Sequence, residues 1–482
     1  MRRAHRFLGF VVLAAAAAAA TSCDRSPAGS STPPAQPVAS QVPAASNPVR
    51  PGPLVLVGVD GLEWRLVLDL VARGRLPQLQ SMIENGSSAR LTTLQPALSP
   101  PIWTSIATGV VPQRHGILGF VQGDAADPAA QGRLFNSRDR RVRAIWDMTA
   151  ERGLSSCVVG WWMTYPVDPL RGVMVAQTGA APGLERERTR KGGLEPGKSG
   201  QVYPSDLEEH FFAIARSSAS RIPAVEQQLY GDFSSWPPAM QQVAVHSRWS
   251  LAADAAYEDI ALDLLSSPHR CDVVLVYLGI ADVLGHRLWR WTSPGDFSSP
   301  PPAAEIERYG DVLARAYESI DRFVGRVREA AGPGATILVA SDHGMGAFRP
   351  AGPVDLERTD GPLIRTGGHS AGRDAFLAAI GPGIAGRTAA VHPARIDDVA
   401  RSGSVLDLAP TLLALLALPR GADMDGHVLT SMLDPAFLAA HPLSEIPTWT
   451  DPAWTAARRP YRTSAGEDAE RVDELRSLGY LQ

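Results

Sequence analysis

Several short stretches of this chain are apolar almost from end to end, and they constrain the fold more than any other feature. The first is Leu54–Val59 (LVLVGV). A strand with one face in water alternates apolar and polar residues; a run without alternation must be covered on both faces. Similar runs recur at Cys157 to Val159, Gly172 to Ala176, Asp272 to Tyr277, Thr336 to Ala340 and Ala375 to Ile380. Between them lie helix-like stretches, clearest at Pro77 to Asn85, Val245 to Ser266, Ala303 to Ala331 and Val405 to Leu416. Strands alternating with helices predict an α/β fold with a central, mostly parallel sheet and helices on both faces. Residues 178–250 break the rhythm with Gly-rich, charged and Pro-containing stretches. They are expected to form a smaller insertion, either a cap over the active edge of the sheet or peripheral decoration.

The chain of 482 residues is 45% hydrophobic, enough to build a large core over residues 53–482. Its N-terminus reads as an address. Arg2, Arg3 and Arg6 precede an apolar run, Phe7 to Ala20, that is short for a membrane span. Ala20-Thr21-Ser22-Cys23 then resembles a bacterial lipobox, which predicts a signal peptide over 1–22 and a lipid on Cys23. The protein is thus expected on the exported side of a bacterial cell envelope, anchored to the membrane; plain secretion with cleavage nearby is the alternative. Residues 23–52 are rich in Pro, Ala and Ser and cannot bury a core, so they read as a tether. Extended, it would reach about 90 Å at roughly 3 Å per residue. The formal net charge of −4 carries no basic excess, and no nucleic-acid partner is expected. Three cysteines rule out a disulfide scaffold. Cys157 and Cys271 could form one bridge, but in apolar, strand-like surroundings buried free thiols are the simpler reading.

Metal-binding side chains appear at four separated places at or near the ends of the predicted strands, where open α/β sheets bind ligands. Asp60 follows the first strand in Val59-Asp60-Gly61, a pattern that also makes a turn. Asp282 and His286 follow the strand ending near Tyr277, and their spacing of four puts them on one face of a helical turn. Asp342-His343-Gly344 follows Thr336 to Ala340, and the glycine lets the backbone pass close to an ion. His369 comes after Gly367-Gly368. Three carboxylates and three imidazoles could hold two divalent ions with three protein ligands each, leaving positions for substrate. Mixed His/Asp sets with an open position suit catalytic zinc, and paired ions suit phosphoryl transfer.

Ser99 supplies a candidate nucleophile. In Ser99-Pro100 followed by an apolar run and Gly109, serine would cap a helix, proline take its first turn and glycine end it. A helix N-terminus favours negative charge, and a metal ion would lower the pKa of a bound hydroxyl as it does that of water. Ser99 would then need no histidine base. Thr104 and Ser105, a turn or more further on, read as packing residues.

These motifs resemble the alkaline phosphatase superfamily, specifically its type I phosphodiesterase and nucleotide pyrophosphatase branch. They run in that family's order: VDG at Asp60, the Ser99-Pro100 stretch through His115-Gly116-Ile117, D-x-x-x-H at Asp282 and His286, DHG at Asp342 and His343, and G-x-H at His369. The resemblance covers roughly Leu54 to Leu429. It implies an alkaline phosphatase-like sandwich and two ions, usually zinc. One ion would lie on Asp60, Asp342, His343 and Ser99, the other on Asp282, His286 and His369. It implies a phosphoester hydrolase acting on a small phosphorylated substrate through a phosphoseryl intermediate on Ser99.

The chain also departs from the family. Ile102 and Phe120 stand where nucleotide pyrophosphatases carry asparagines, and Pro100 has no N–H to offer a phosphate oxygen. Nucleotide specificity therefore does not carry over, and the Lys and Arg residues of 178–250 are the remaining candidates for holding phosphate oxygens. Trp161, Trp162 and Tyr165, and Trp289 and Trp291, could shape the substrate pocket, although such aromatics more often sit in a core. A sulfatase would need an arginine that Ser99-Pro100-Pro101-Ile102-Trp103 lacks. Phosphoethanolamine-type transferases usually carry several membrane spans, and a glycolytic phosphoglycerate mutase would not be exported. A non-catalytic surface lipoprotein on this scaffold is the reading from another class.

Overall fold

The computed structural model describes residues 51–122, 133–177, 194, 198–266, 268–348, 354–359, 363–369, 374–386, 395–458 and 461. The expected signal peptide, Cys23 and nearly all of the tether lie outside these residues, as does most of 178–197. All described residues fall in one compact unit, 42–482. No described helix is long and apolar enough to cross a membrane.

The apolar runs become strands. The strands are β1 (Leu54–Val59), β2 (Ser87–Thr92), β3 (Ser156–Val159), β4 (Gly172–Val175), β5 (Val202–Tyr203), β6 (Val273–Leu278), β7 (Thr336–Ala340), β8 (Gly346–Ala347), β9 (Gly367–Gly368), β10 (Ala375–Ile380), β11 (Arg401–Ser404) and a separate pair, β12 (Arg420–Gly421) and β13 (Glu445–Ile446). Nine of them form one sheet in the order β11-β2-β10-β7-β1-β6-β3-β4-β5. The central run β7-β1-β6-β3-β4 is parallel throughout. The antiparallel pairs lie toward the edges, at β10 with β7 and β2 and at β5 with β4.

The expected cover on both faces is present. Val55, Val57 and Val59 of β1 join one hydrophobic cluster with the helices Trp64–Ala72, Pro77–Asn85, Pro238–Ser266 and Val312–Ala331. Leu54 and Leu56 point the other way, into a second cluster with Ser99–Thr108, Ile145–Glu151 and Leu408–Leu415. The fold is therefore an α/β sandwich of helices, sheet and helices.

Several details differ from expectation. The helix expected over 303–331 is two, Ala303–Tyr309 and Val312–Ala331, broken at Gly310. The one expected from Val245 begins at Pro238. Cys157 and Cys271 are bridged, with Cα atoms 5.7 Å apart, rather than free. Cys157 stands in β3 and Cys271 just before β6, and the two strands are parallel neighbours, so both thiols reach one spot at the sheet's N-terminal edge. Strands β2 and β11 went unread because SSARLT and RSGS are polar and only partly buried.

Candidate active site

The parallel order explains how distant motifs meet. Strand β1 runs between β6 and β7, so three strands deliver their carboxyl ends side by side. Asp60 follows β1 directly. Asp342 follows β7 by two residues, and Asp282 lies in the first turn of the Ile280–Thr292 helix after β6. His369 arrives from the antiparallel side, in the segment between β9 and β10. Strand β9 pairs with β8, which strings the His369 loop to the chain just past His343.

Two glycines make this convergence fit. A Cβ on Gly367 would stand 2.1 Å from the carbonyl oxygen of Gly285, so the His369 loop can lie on the Asp282–His286 helix. Gly61, at φ +67°, takes the left-handed turn after β1; a Cβ there would stand 3.1 Å from the Asp282 Cα.

All six candidate ligands come together. Ligand atoms of Asp60, Asp342 and His343 lie within 4.8 Å of one another, as do those of Asp282, His343 and His369. His286 Nε2 stands 3.4 Å from Asp282 Oδ1. His343 thus faces both groups: its Nε2 is 3.4 Å from Asp60 Oδ1 and 3.2 Å from Asp342 Oδ2, and its ring is 3.7 Å from that of His369. The two sets suggested by family resemblance are one contiguous cluster in which His343 is central.

The second ring nitrogens and the backbone fix the ligands' orientation. His286 Nδ1 donates to Gly367 O (2.9 Å), His369 Nδ1 to Ala97 O (2.7 Å) and His343 Nδ1 to Gly344 O (3.2 Å). This turns each Nε2 toward the cluster, the arrangement that metal-ligating histidines favour. Asp60 is held by Tyr277 OH and Trp103 Nε1, which donate to its Oδ2 at 2.8 and 3.1 Å. Asp342 Oδ1 accepts from Gly61 N at 3.3 Å.

The electrostatics call for a cation. Burial, then the neighbouring Asp282 charge, pushes the Asp60 carboxyl up to about 7. Burial with Asp60 and Asp282 drives Asp342 well above the ordinary carboxylate range. Asp282 goes the other way: burial opposes its ionisation, but the imidazoles of His286 and His369 together outweigh it. Burial lowers His286 to about 3 and His343 well below its ordinary value. His369 Nε2 lies 2.9 Å from Asp282 Oδ1 while its Nδ1 faces Ala97 O. A neutral imidazole can donate to one of these acceptors, so the second requires a proton or a cation on Nε2. Asp342 Oδ2 and His343 Nε2 are buried without a hydrogen bond. Buried oxygens and nitrogens gathered this way fit divalent ions of the zinc class.

Ser99 opens the Ser99–Thr108 helix, and its Oγ lies 3.4 Å from Asp60 Oδ1. It is not the cap: Leu98 takes that position without a side-chain bond, which leaves the Ser99 hydroxyl facing the cluster. Gly109 ends the helix at φ 69°, as expected. Thr104 bonds back to Pro100 O, and Ser105 Oγ meets His115 Nε2 at 3.0 Å; both are buried packing residues.

Beside Ser99 opens a pocket walled by Phe120, Trp162, Trp249, Tyr257 and Tyr277. Of the two tryptophan clusters, Trp162 alone lines it. Trp161 is buried against Trp103, Tyr165 packs on Tyr461, and Trp289 and Trp291 are core residues bonded to Asp296 and Glu305. No Lys or Arg lines the pocket among the described residues. Arg186, Arg188, Arg190 and Lys191 lie outside them. Sequence reasoning missed Tyr277 and Trp103, which hold Asp60, and Asp254, which also lines the pocket. Tyr277 carried a signal, since the apolar run into Asp60's neighbour strand ends on that hydroxyl; the other two carried none.

The model of the type I phosphodiesterase / nucleotide pyrophosphatase family matches residues 54–401. The resemblance expected as far as Leu429 extends beyond that match. The chain is 28% identical over 184 residues to a 2,3-bisphosphoglycerate-independent phosphoglycerate mutase of Desulforudis audaxviator (strain MP104C), a match that takes in 38% of this chain and 28% of the mutase. The chain therefore spans well under half the length of that relative. Among solved structures, human ectonucleotide pyrophosphatase / phosphodiesterase 5 is similar at 13% identity and a TM-score of 0.46, covering 79% of this chain and 100% of that one. The murine protein, in an inactive form in complex with AMP, is 12% identical with a TM-score of 0.44, covering 80% and 100%.

Proposed function

The chain belongs to the type I phosphodiesterase / nucleotide pyrophosphatase family, a family of phosphoric ester hydrolases, and from that premise we propose that it hydrolyses a small phosphate ester with Ser99 as nucleophile. The observation that carries this reading is the Ser99 hydroxyl 3.4 Å from Asp60, within the buried cluster of three carboxylates and three imidazoles. In the proposed reaction the Ser99 Oγ forms a bond to phosphorus as the P–O bond to the esterified alcohol breaks. The departing alkoxide takes up the proton that the Ser99 hydroxyl gives up, and water later cleaves the phosphoseryl ester, restoring the hydroxyl and releasing phosphate.

Asp60, Asp342 and His343 would hold one ion with Ser99, and Asp282, His286 and His369 the other. When bound, two zinc-class ions would supply positive charge to the phosphate oxygens and favour ionisation of the Ser99 hydroxyl. The chain's own contribution is orientation. Tyr277 and Trp103 fix Asp60, and three backbone carbonyls fix the imidazoles. The helix start is poor in donors, since Pro100 and Pro101 have no N–H and that of Ile102 bonds to Leu98 O. Phosphate oxygens must therefore be held by other groups. The aromatic walls would take the alcohol part of the ester and keep water from it.

The Cys157–Cys271 bridge supports an exported protein, because disulfides persist in oxidising compartments. Export by the 1–22 segment, anchoring through a lipid on Cys23, the 23–52 tether and a cap over 178–250 complete the proposal. The test is hydrolysis of p-nitrophenyl mono- and diesters by the purified protein, with and without chelator. Absence of any chelator-sensitive turnover on both ester types would defeat it.

A further inference from the structure

Asp254 occupies the middle of the Pro238–Ser266 helix, outside every motif named above. Its side chain is buried, and among the described residues it forms no ion pair. Its oxygens instead accept backbone hydrogens from another element. Gly279 N lies 2.9 Å from Oδ1 and 3.1 Å from Oδ2, and Ile280 N lies 2.9 Å from Oδ2.

Those two N–H groups begin the Ile280–Thr292 helix. The cap residue of that helix is Gly279, which has no side chain to satisfy them. Asp254 therefore acts as a cap supplied from a different helix, and its charge lies where the helix dipole favours an anion. What this helix carries is Asp282, two residues past the clamp, and His286, one turn later. Rotating the first turn would swing both side chains. Their common neighbour, His369, is tied to the same helix through Thr366 and Gly367. A simple cap would stabilise any helix; this one sets the angle at which three candidate ligands face one point.

We propose that Asp254 is a positioning residue for the ion held by Asp282, His286 and His369, and that it acts through the register of the helix rather than by touching the ion. The inference rests on the two-ion reading given above. Substituting a residue that orients a ligand typically weakens metal binding by about 10- to 100-fold.

The experiment is a zinc titration of the full protein against a chromophoric chelator, for wild type, Asp254→Asn and Asp254→Ala. An Asp342→Ala variant shows which dissociation constant belongs to the other ion. The expected result is that Asp254→Ala weakens the constant left intact in Asp342→Ala by about 10- to 100-fold. The other constant stays within about threefold. Asp254→Asn, which keeps one acceptor oxygen, should lose less, and turnover should return toward wild type as free zinc is raised. Unchanged constants in both variants would overturn the proposal. So would an equal weakening of both ions together with a lower melting temperature of the zinc-free protein, which is what a purely structural cap would produce. A wild-type protein that takes up no zinc would instead bring down the two-ion reading itself, and this inference with it.

Discussion

Tyr277 donates its phenolic hydrogen to Asp60 Oδ2 across 2.8 Å, and this fixes the carboxylate so that its other oxygen faces Ser99. The bond spans adjacent parallel strands, from near the end of β6 to the residue after β1. Tyr277→Phe keeps the ring and removes the donor. It is expected to lower kcat/KM by about 10- to 100-fold, the usual cost of losing a group that orients a ligand. Steady-state kinetics on a p-nitrophenyl ester, with circular dichroism to confirm the fold, checks it.

Ser99→Ala removes the hydroxyl on which the proposed covalent step depends. Turnover should drop by at least about 10³-fold, while zinc content falls far less, because the other ligands of that ion remain. A variant retaining a tenth of wild-type kcat would show that water or another group attacks phosphorus directly.

Removing metal should silence the protein reversibly. Dialysis against chelator is expected to cost at least about 10²-fold in rate, and added zinc should restore it. The readout is activity against free zinc concentration. Activity that survives exhaustive chelation, with no metal detected by mass spectrometry, would contradict the assignment of the six ligands.

His115 offers a pH test away from the cluster. It is buried, with Nδ1 accepting from Ile117 N and Nε2 facing Pro101 O and Ser105. Burial lowers it from 6.5 to about 3. The unfolded chain therefore binds a proton that the folded protein refuses between those values. Stability attributable to this residue is intact above pH 6.5 and declines as pH falls toward 3. The slope is at most about 1.4 kcal/mol per pH unit. Urea midpoints from about pH 7 to about pH 4.5 should fall more steeply for wild type than for His115→Gln.

The Cys157–Cys271 bridge closes a loop with a sequence separation of 114 residues. Replacing both cysteines by serine should lower stability by about 2–5 kcal/mol. Equilibrium denaturation of the oxidised protein, the reduced protein and the double variant would show it. Equal stability of all three would mean that the bridge contributes nothing to the fold.

The core strands were legible because burial on both faces leaves a continuous apolar run such as Leu54–Val59, and Asp60, Asp282 with His286, and Asp342 with His343 because each follows such a run; His369 was marked only by the two glycines before it. Polar strands near the edge of the sheet lack that signature, so Ser87–Thr92 escaped notice. Ser99 was read as a cap, whereas Leu98 takes that place, since the capping grammar cannot tell a cap from a first residue. Asp254 was invisible for a different reason. Its partners are backbone N–H groups of Gly279 and Ile280, and no residue type advertises them. The bridge was misjudged because apolar surroundings suit a buried disulfide as well as a buried thiol; strand adjacency decided it.

The lacing of the Thr366–Gly368 segment onto the Ile280–Thr292 helix separates two kinds of change the protein can undergo. His286 is fastened to the segment leading to His369, its O accepting from Thr366 N and its Nδ1 donating to Gly367 O, so neither can drift without its companion. Of the pocket walls, Trp162 belongs to another segment of the chain, whereas Trp249 shares its helix with Asp254 and Tyr277 holds Asp60. Under the proposed reaction, changes in leaving-group preference are therefore expected to be freest at Trp162, where a wall can be altered while the frame of candidate ligands stays as it is.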